Sequence, residues 1–272
     1  MSVGSCIQNY KIERQMSRGG FSWVYRALAP DAKPVFIKEF FPHSCTARSS
    51  LGGHLPLQDK EAQYKEALRR FIDEARLLAS FRSAGYPRLR HFLWQNEIPY
   101  MIFEWERGRT LSQYLQVKKN KIPEQLIRIY LAGFLRLLRK MHSEQILHLD
   151  LHPGNLFFRL DGKPVILDFG CAKHIGDLSL FSGPIRMYTH GFTPPEIIQK
   201  GGMIGPWSDL YMLGGCLRAC GILDTKNQYS QDLFTLTSAF LRKNPLDRPK
   251  SIEDPLVISF LTPPSVSENG MS

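Results

Sequence analysis

Three oxygen-bearing side chains stand at spacings suited to handling a phosphate ester. Asp150 and Asn155 lie in the run His148-Leu149-Asp150-Leu151-His152-Pro153-Gly154-Asn155, and Asp168-Phe169-Gly170 begins thirteen positions after that Asn. Between them, Leu156-Phe157-Phe158 and Val165-Ile166-Leu167 read as two short strands around a turn at Asp161-Gly162. Such a hairpin brings Asp150, Asn155 and Asp168 to one end. Hard oxygen ligands suit Mg²⁺ and a carboxylate can orient an attacking hydroxyl, so the trio fits phosphoryl transfer from a nucleotide. Taken singly, each is only a polar residue beside a turn.

These side chains need a scaffold, and the chain supplies one in two stages. Val24-Tyr25 and Val35-Phe36-Ile37, separated by Ala29-Pro30-Asp31, predict a hairpin. Residues 43–60 are rich in Ser, Gly and Pro and predict a loop. From about Lys65, Leu68, Phe71, Ala75 and Leu78 recur at three and four and predict an amphipathic helix. The apolar run Ile98 to Trp105 predicts a strand, and Thr110-Leu111-Ser112-Gln113 has the form of a capping box opening a helix. Pro123-Glu124 suits the first turn of a core helix over Leu126 to Met141. The plan is a small strand-rich part with one helix and then a larger helical part, with the boundary near Glu104 to Gly108.

Composition narrows the class. With 43% hydrophobic residues and 22% charged, the chain can bury a core. No stretch of 18 apolar residues predicts a membrane span, and the first residues lack a secretory pattern, so the expected compartment is the cytoplasm. Five cysteines without Cys-x-x-Cys spacing agree with a reducing environment. The net charge of +10 favours acidic or phosphate-bearing partners. The lysines at 118, 119 and 121 and the arginines at 69, 70, 76, 82, 88 and 90 read as solvated faces, and nucleic acid is not an expected partner.

The run through Asn155 followed by Asp168-Phe169-Gly170 resembles the catalytic loop H-R-D-L-x-x-x-N and the metal loop D-F-G of the protein kinase superfamily, in its bacterial serine/threonine form. The resemblance extends in order over residues 10 to 260. Ser17-Arg18-Gly19-Gly20-Phe21-Ser22-Trp23-Val24 is similar to the glycine-rich loop, with Gly19 at its middle glycine and Ser17 and Ser22 at the others. Lys38 resembles the phosphate-binding lysine and Glu74 its helix partner, a long interval that the 43–60 loop explains. Thr189-His190-Gly191-Phe192-Thr193-Pro194-Pro195-Glu196 resembles the end of the activation segment. Trp207 to Gly214 and Arg248 resemble the structural aspartate helix and the arginine that pairs with Glu196.

The resemblance implies a two-lobed α+β fold, with an N-lobe over 10–105, a C-lobe over 106–261 and a loose tail over 262–272. ATP and Mg²⁺ would occupy the cleft between lobes, and the acceptors would be Ser/Thr hydroxyls of protein substrates. By the same resemblance Asp150 is the catalytic base, and Asn155 and Asp168 hold Mg²⁺. Lys38 places the phosphates through Glu74, and Thr189 sits near Asp150. The nucleotide would meet Ser17, Gly19, Gly20, Ser22, Val24, Phe36, Phe103, Phe157 and the backbone of Glu104 and Glu106.

Four departures from the family pattern have consequences. Leu149 replaces the arginine that binds a phosphorylated activation loop, so phosphorylation at Ser179 or Ser182 is not expected to switch the protein on by that route. His152 replaces a lysine, and the string H-x-D-L-H-P-G-N is also similar to aminoglycoside-type small-molecule phosphotransferases. Phe36 and Phe157 either sandwich a base or fill its place. The interval from Asp209 to Arg248 is short. A small-molecule phosphotransferase and a pseudokinase acting as a binding module are therefore the alternatives. Cys171, His174 and His190 read as an ordinary buried thiol and two solvated loop residues.

Overall fold

The computed structural model describes residues 3–48, 54–81, 84–118, 122–177, 189–199, 202–224 and 227–261. Arg82, Lys119, Lys121, Ser179, Ser182 and the 262–272 tail lie outside the described residues. The chain forms two compact units, one running to Arg107 and one beginning at Gly108.

The first unit contains β1 (Cys6–Ile7), β2 (Tyr10–Arg18), β3 (Ser22–Leu28), β4 (Pro34–Phe40), β5 (Thr46–Arg48), β6 (His54–Pro56), α1 (Glu61–Ser80), β7 (Leu89–Gln95) and β8 (Ile98–Glu104). Six strands make one antiparallel sheet in the order β1-β2-β3-β4-β8-β7, and β5 and β6 pair separately. Strand alternation sorts the side chains. Tyr25 and Ala27 of β3, Val35 and Ile37 of β4, and Tyr100 and Ile102 of β8 share one face and join Ile7, Tyr10 and Ile12 in a buried cluster. The other face presents Val24, Lys38 and Met101 in register, and Phe36 beside Phe103.

Helix α1 buries Ala67, Phe71, Glu74, Ala75 and Leu78, a seam at three- and four-residue spacing. Phe71 meets Phe40 of β4 with ring centroids 5.4 Å apart, which seats the helix beside Lys38. Its outer arginines are neutralised locally: Arg69 and Arg70 contact Glu66, and Arg69 and Arg76 contact Asp73. That arrangement matches a solvated face. The helix starts at Glu61, four residues before the apolar periodicity. The 43–60 segment is not wholly a loop, since β5 and β6 form a short hairpin within it.

The second unit contains β9 (Gly108–Thr110), α2 (Leu111–Lys118), α3 (Glu124–Ser143), β10 (Ile146–Leu147), β11 (Leu156–Arg159), β12 (Pro164–Ile166), β13 (Lys173–His174), α4 (Pro195–Ile198), α5 (Pro206–Ala219), α6 (Gln231–Phe240) and α7 (Pro255–Ile258). Its core is the buried face of α3, from Ile127 to Met141, packed with α5, most of whose residues are buried. A Cβ on Gly214 of α5 would come within 2.7 Å of Phe240 Cβ, so the α5–α6 approach demands glycine there. Strand β11 pairs with β12 on one side and β9 on the other, and Tyr130 and Phe134 of α3 pack on Phe158.

The capping box forms as expected. Thr110 Oγ1 accepts from the Gln113 N–H at 3.2 Å, and Gln113 Oε1 accepts from the Thr110 N–H at 3.0 Å. Thr110→Val should therefore destabilise the protein by about 1 kcal/mol, and Thr110→Ser should recover most of it, as read by urea unfolding.

Candidate active site

The first unit contributes a buried ion pair. Lys38 projects from β4 toward α1, and its Nζ donates to Glu74 Oε1 at 2.7 Å and Oε2 at 2.9 Å. The two side chains are 11% and 4% exposed. Burying two charges is costly in desolvation, so such a pair is poor value for stability and suits a fixed cation required for chemistry.

Ahead of β3, the Gly19 N–H donates to the Ser22 carbonyl at 2.8 Å, closing a turn between β2 and β3. Ser17, Gly19 and Gly20 are exposed and Ser22 is buried. Phe36 stacks on Trp105, with centroids 4.2 Å apart and planes at 29°, and Arg26 lies over the other aromatic partner, Trp105, at 4.8 Å. Phe103 is buried, Glu106 is half-buried, and the Glu104 N–H is already donated to the Arg88 carbonyl at 3.0 Å.

In the second unit the β11–β12 hairpin fixes the polar trio. Leu156 pairs with Ile166, and the Leu167 N–H donates to the Asn155 carbonyl at 2.8 Å, so Asn155 and Asp168 flank the same end. The Asn155 side-chain nitrogen donates to the Asp150 carbonyl at 2.9 Å. Its amide oxygen is thereby the atom left to face a cation. Asp168 has φ of 56°, a left-handed backbone that few non-glycine residues adopt, and its Oδ1 accepts from the Gly170 N–H at 3.3 Å. An amide oxygen and a carboxylate are hard donors, and this set fits Mg²⁺. Thr189 Oγ1 donates to Asp150 Oδ1 at 2.7 Å, and the Phe192 ring lies 6.3 Å from that of His152, so the segment after residue 188 meets the loop at both places. Phe157 is buried in β11 against Gly108.

The loop around Asp150 is braced from beneath. Asp209, fully buried near the start of α5, accepts from the N–H groups of His148 at 2.9 Å and Leu149 at 2.8 Å, and its Oδ2 lies 2.9 Å from His142 Nε2. Burial alone would raise its carboxyl, but the His142 contact and its other donors outweigh this and hold it below the usual carboxylate range. The brace supports a strained residue, since Leu149 has φ of 62°. Burial pushes the His148 imidazole down. Its neutral form suits both of its contacts, with Nδ1 accepting from the Asp150 N–H at 3.3 Å and Nε2 donating to the Leu167 carbonyl at 3.0 Å.

His152 folds back onto its own turn. Its Nδ1 accepts from the Gly154 N–H at 3.1 Å, and a Cβ on Gly154 would lie 2.7 Å from the ring and force the imidazole to shift. Burial, the leading influence, lowers the basicity of this imidazole.

Further along, Glu196 and Arg248 form a buried bidentate pair at 2.7 and 2.9 Å, and Ser208 Oγ donates to the same carboxylate. Cys171 is buried and His174 and His190 are exposed. All five cysteines are free thiols, and burial pushes Cys220 up to about 12, which leaves it unreactive at neutral pH. Sequence reasoning missed Trp105, Glu39, His43 and His54. Glu39 is fully buried, accepts from Tyr25 Oη at 2.5 Å and lies 3.3 Å from His54 Nε2.

A sheet with one ion-paired helix, and a second unit carrying a braced Asp loop ahead of an Asp-Phe-Gly turn, define a protein kinase. The chain belongs to that family: the model of the protein kinase domain matches residues 10–243. Among curated proteins it is similar to serine/threonine-protein kinase PknA of Nostoc sp., 29% identical over 213 residues, covering 75% of this chain and 35% of that protein. It is also similar to serine/threonine-protein kinase C of Synechocystis sp., 30% identical over 214 residues, covering 75% of this chain and 37% of that protein. The solved structure titled "PpkA-294 apo form" matches with a TM-score of 0.79 and 29% identity, covering 96% of this chain and 99% of that one. The chain spans about a third to a half of the length of the curated relatives it matches. These likenesses make it a bacterial-type serine/threonine protein kinase in family and fold.

Proposed function

We propose that the protein transfers the γ-phosphoryl group of ATP to Ser or Thr hydroxyls of protein substrates, with Mg²⁺, and that its two units are the N- and C-lobes of one kinase domain. The observation that carries this reading is the hydrogen bond from Thr189 Oγ1 to Asp150 Oδ1 at 2.7 Å, in a loop that also holds Asn155 and leads to Asp168. Asp150 accepts the proton of the attacking hydroxyl and orients its oxygen. Lys38, fixed by Glu74, neutralises the α- and β-phosphates, and the turn from Ser17 through Ser22 to Val24 covers them with backbone N–H groups. Asn155 and Asp168 would hold Mg²⁺, which would supply positive charge to the phosphate oxygens. Phe36, Phe103, Phe157 and the backbone of Glu104 and Glu106 line the base.

The relatives' printed names support Ser/Thr acceptors, and Thr189 beside Asp150 agrees with a small hydroxyl acceptor. The Thr189 to Glu196 segment, anchored through the Arg248 pair, favours protein substrates over small molecules. Among the described residues no helix is long and apolar enough to cross a membrane.

The test is an acceptor panel. With labelled ATP and Mg²⁺, label should appear on Ser and Thr of unstructured protein acceptors. Transfer confined to small alcohols or amines would instead identify a small-molecule phosphotransferase, and the absence of transfer with retained nucleotide affinity would identify a binding module.

A further inference from the structure

The turn from Gly19 to Ser22 is gripped by the residues that open the 43–60 segment. The Phe41 N–H donates to the Phe21 carbonyl at 2.9 Å, and the His43 N–H donates to the Gly20 carbonyl at 3.0 Å. In a trans peptide the carbonyl and the next residue's N–H point opposite ways. With the Gly20 and Phe21 carbonyls turned toward 41–43, the N–H groups of Phe21 and Ser22 are turned away from it. These two consecutive N–H groups are the donors the turn can offer to an anion.

A side-chain bond reinforces the grip. Trp23 Nε1 donates to His43 Nε2 at 2.6 Å. Their rings lie 5.6 Å apart, both pack on Phe41, and the Arg18 guanidinium covers Trp23 at 4.8 Å. The acceptor role requires neutral imidazole. Partial burial, followed by the nearby Arg18 charge, lowers the basicity of His43 and preserves that form. The far end of the segment has a separate anchor, because the His54 ring packs on Phe41 with centroids 4.7 Å apart, and its Nε2 lies 3.3 Å from the Glu39 carboxylate that accepts from Tyr25. A change at the His43 side chain therefore alters the turn without detaching the segment.

We propose that His43 is a positioning residue for the nucleotide phosphates: through Trp23 and the Gly20 carbonyl it fixes the Gly19–Ser22 turn with its N–H groups aimed at the phosphates. This rests on the reading of that turn as part of an ATP site. His43 touches no reacting atom. Its contribution falls on nucleotide affinity, through the entropy that a mobile turn would lose on binding.

MgATP affinity of the full chain, measured by calorimetric titration, tests the proposal when paired with urea unfolding of each variant. One side-chain hydrogen bond corresponds to a weakening of roughly threefold to tenfold in His43→Ala and similarly in Trp23→Phe. Because both remove the same bond, the double variant should be no weaker than the weaker single. His43→Gln, which restores an acceptor at similar reach, should return close to wild type, and unfolding midpoints should change little. Wild-type affinity in His43→Ala, failure of Gln to rescue, or multiplying effects in the double variant would overturn the proposal while leaving the ATP site intact. Absence of MgATP binding by the wild type would overturn the ATP reading itself and this inference with it.

Discussion

Asp150→Asn should lower kcat for phosphoryl transfer roughly 10²- to 10⁴-fold, the range that a positioned general base supplies, with KM for ATP nearly unchanged. Asparagine keeps the shape and an oxygen, so Thr189 Oγ1 retains an acceptor and Asn155 still bonds the main-chain carbonyl of residue 150. The braces beneath are main-chain bonds to Asp209, which the substitution leaves in place. What would be lost is the charge proposed to draw the proton from the acceptor hydroxyl. Steady-state kinetics with ATP and peptide varied separately would show the drop in kcat alone. A parallel rise in KM for ATP would place Asp150 in nucleotide binding instead.

Arg248→Ala should destabilise the protein by about 3–5 kcal/mol, the cost of leaving a buried charge without its partner. Glu196 would keep only the Ser208 hydroxyl, and the carbonyls of Arg242 and Lys243 would lose the donors that Arg248 gives them. Domains of this kind have total stabilities of about 5–15 kcal/mol, so the variant should unfold at much lower urea. Replacing both members, as in Glu196→Met with Arg248→Met, should cost less than Arg248→Ala, because no lone charge remains. A double variant worse than the single would mean that the guanidinium's carbonyl contacts, and not the ion pair, hold this region.

How far these residues could be read from the chain depended on how local their cues were. The β3–β4 hairpin, the β11–β12 hairpin and α3 were visible because alternation, turn residues and an apolar period lie within short windows. Strands β1 and β2 were not, since Tyr10–Arg18 is largely polar and buries only Tyr10 and Ile12. The β5–β6 hairpin was hidden in a stretch of turn-forming residues. On β4 both faces are covered, so Pro34–Phe40 shows no polar side, and the burial of Glu39 depends on Tyr25 and His54, distant in sequence. The chemistry-bearing positions from Lys38 to Asp168 were found by ordered motifs, whereas the stacking of Phe36 on Trp105 and the bond from Trp23 to His43 arise from packing that no motif encodes.

Phosphoryl transfer as proposed depends on the Lys38 ammonium and on the Asp168 carboxylate. The most direct measurement is the rate of Mg²⁺-dependent transfer from γ-labelled ATP to a Ser/Thr peptide by wild type, Lys38→Met and Asp168→Asn. Acid-stable label should appear on the peptide hydroxyls in the wild-type reaction, and should be lost on chelation of Mg²⁺ and in both variants. Equal labelling by all three proteins, or labelling that survives chelation, would contradict it.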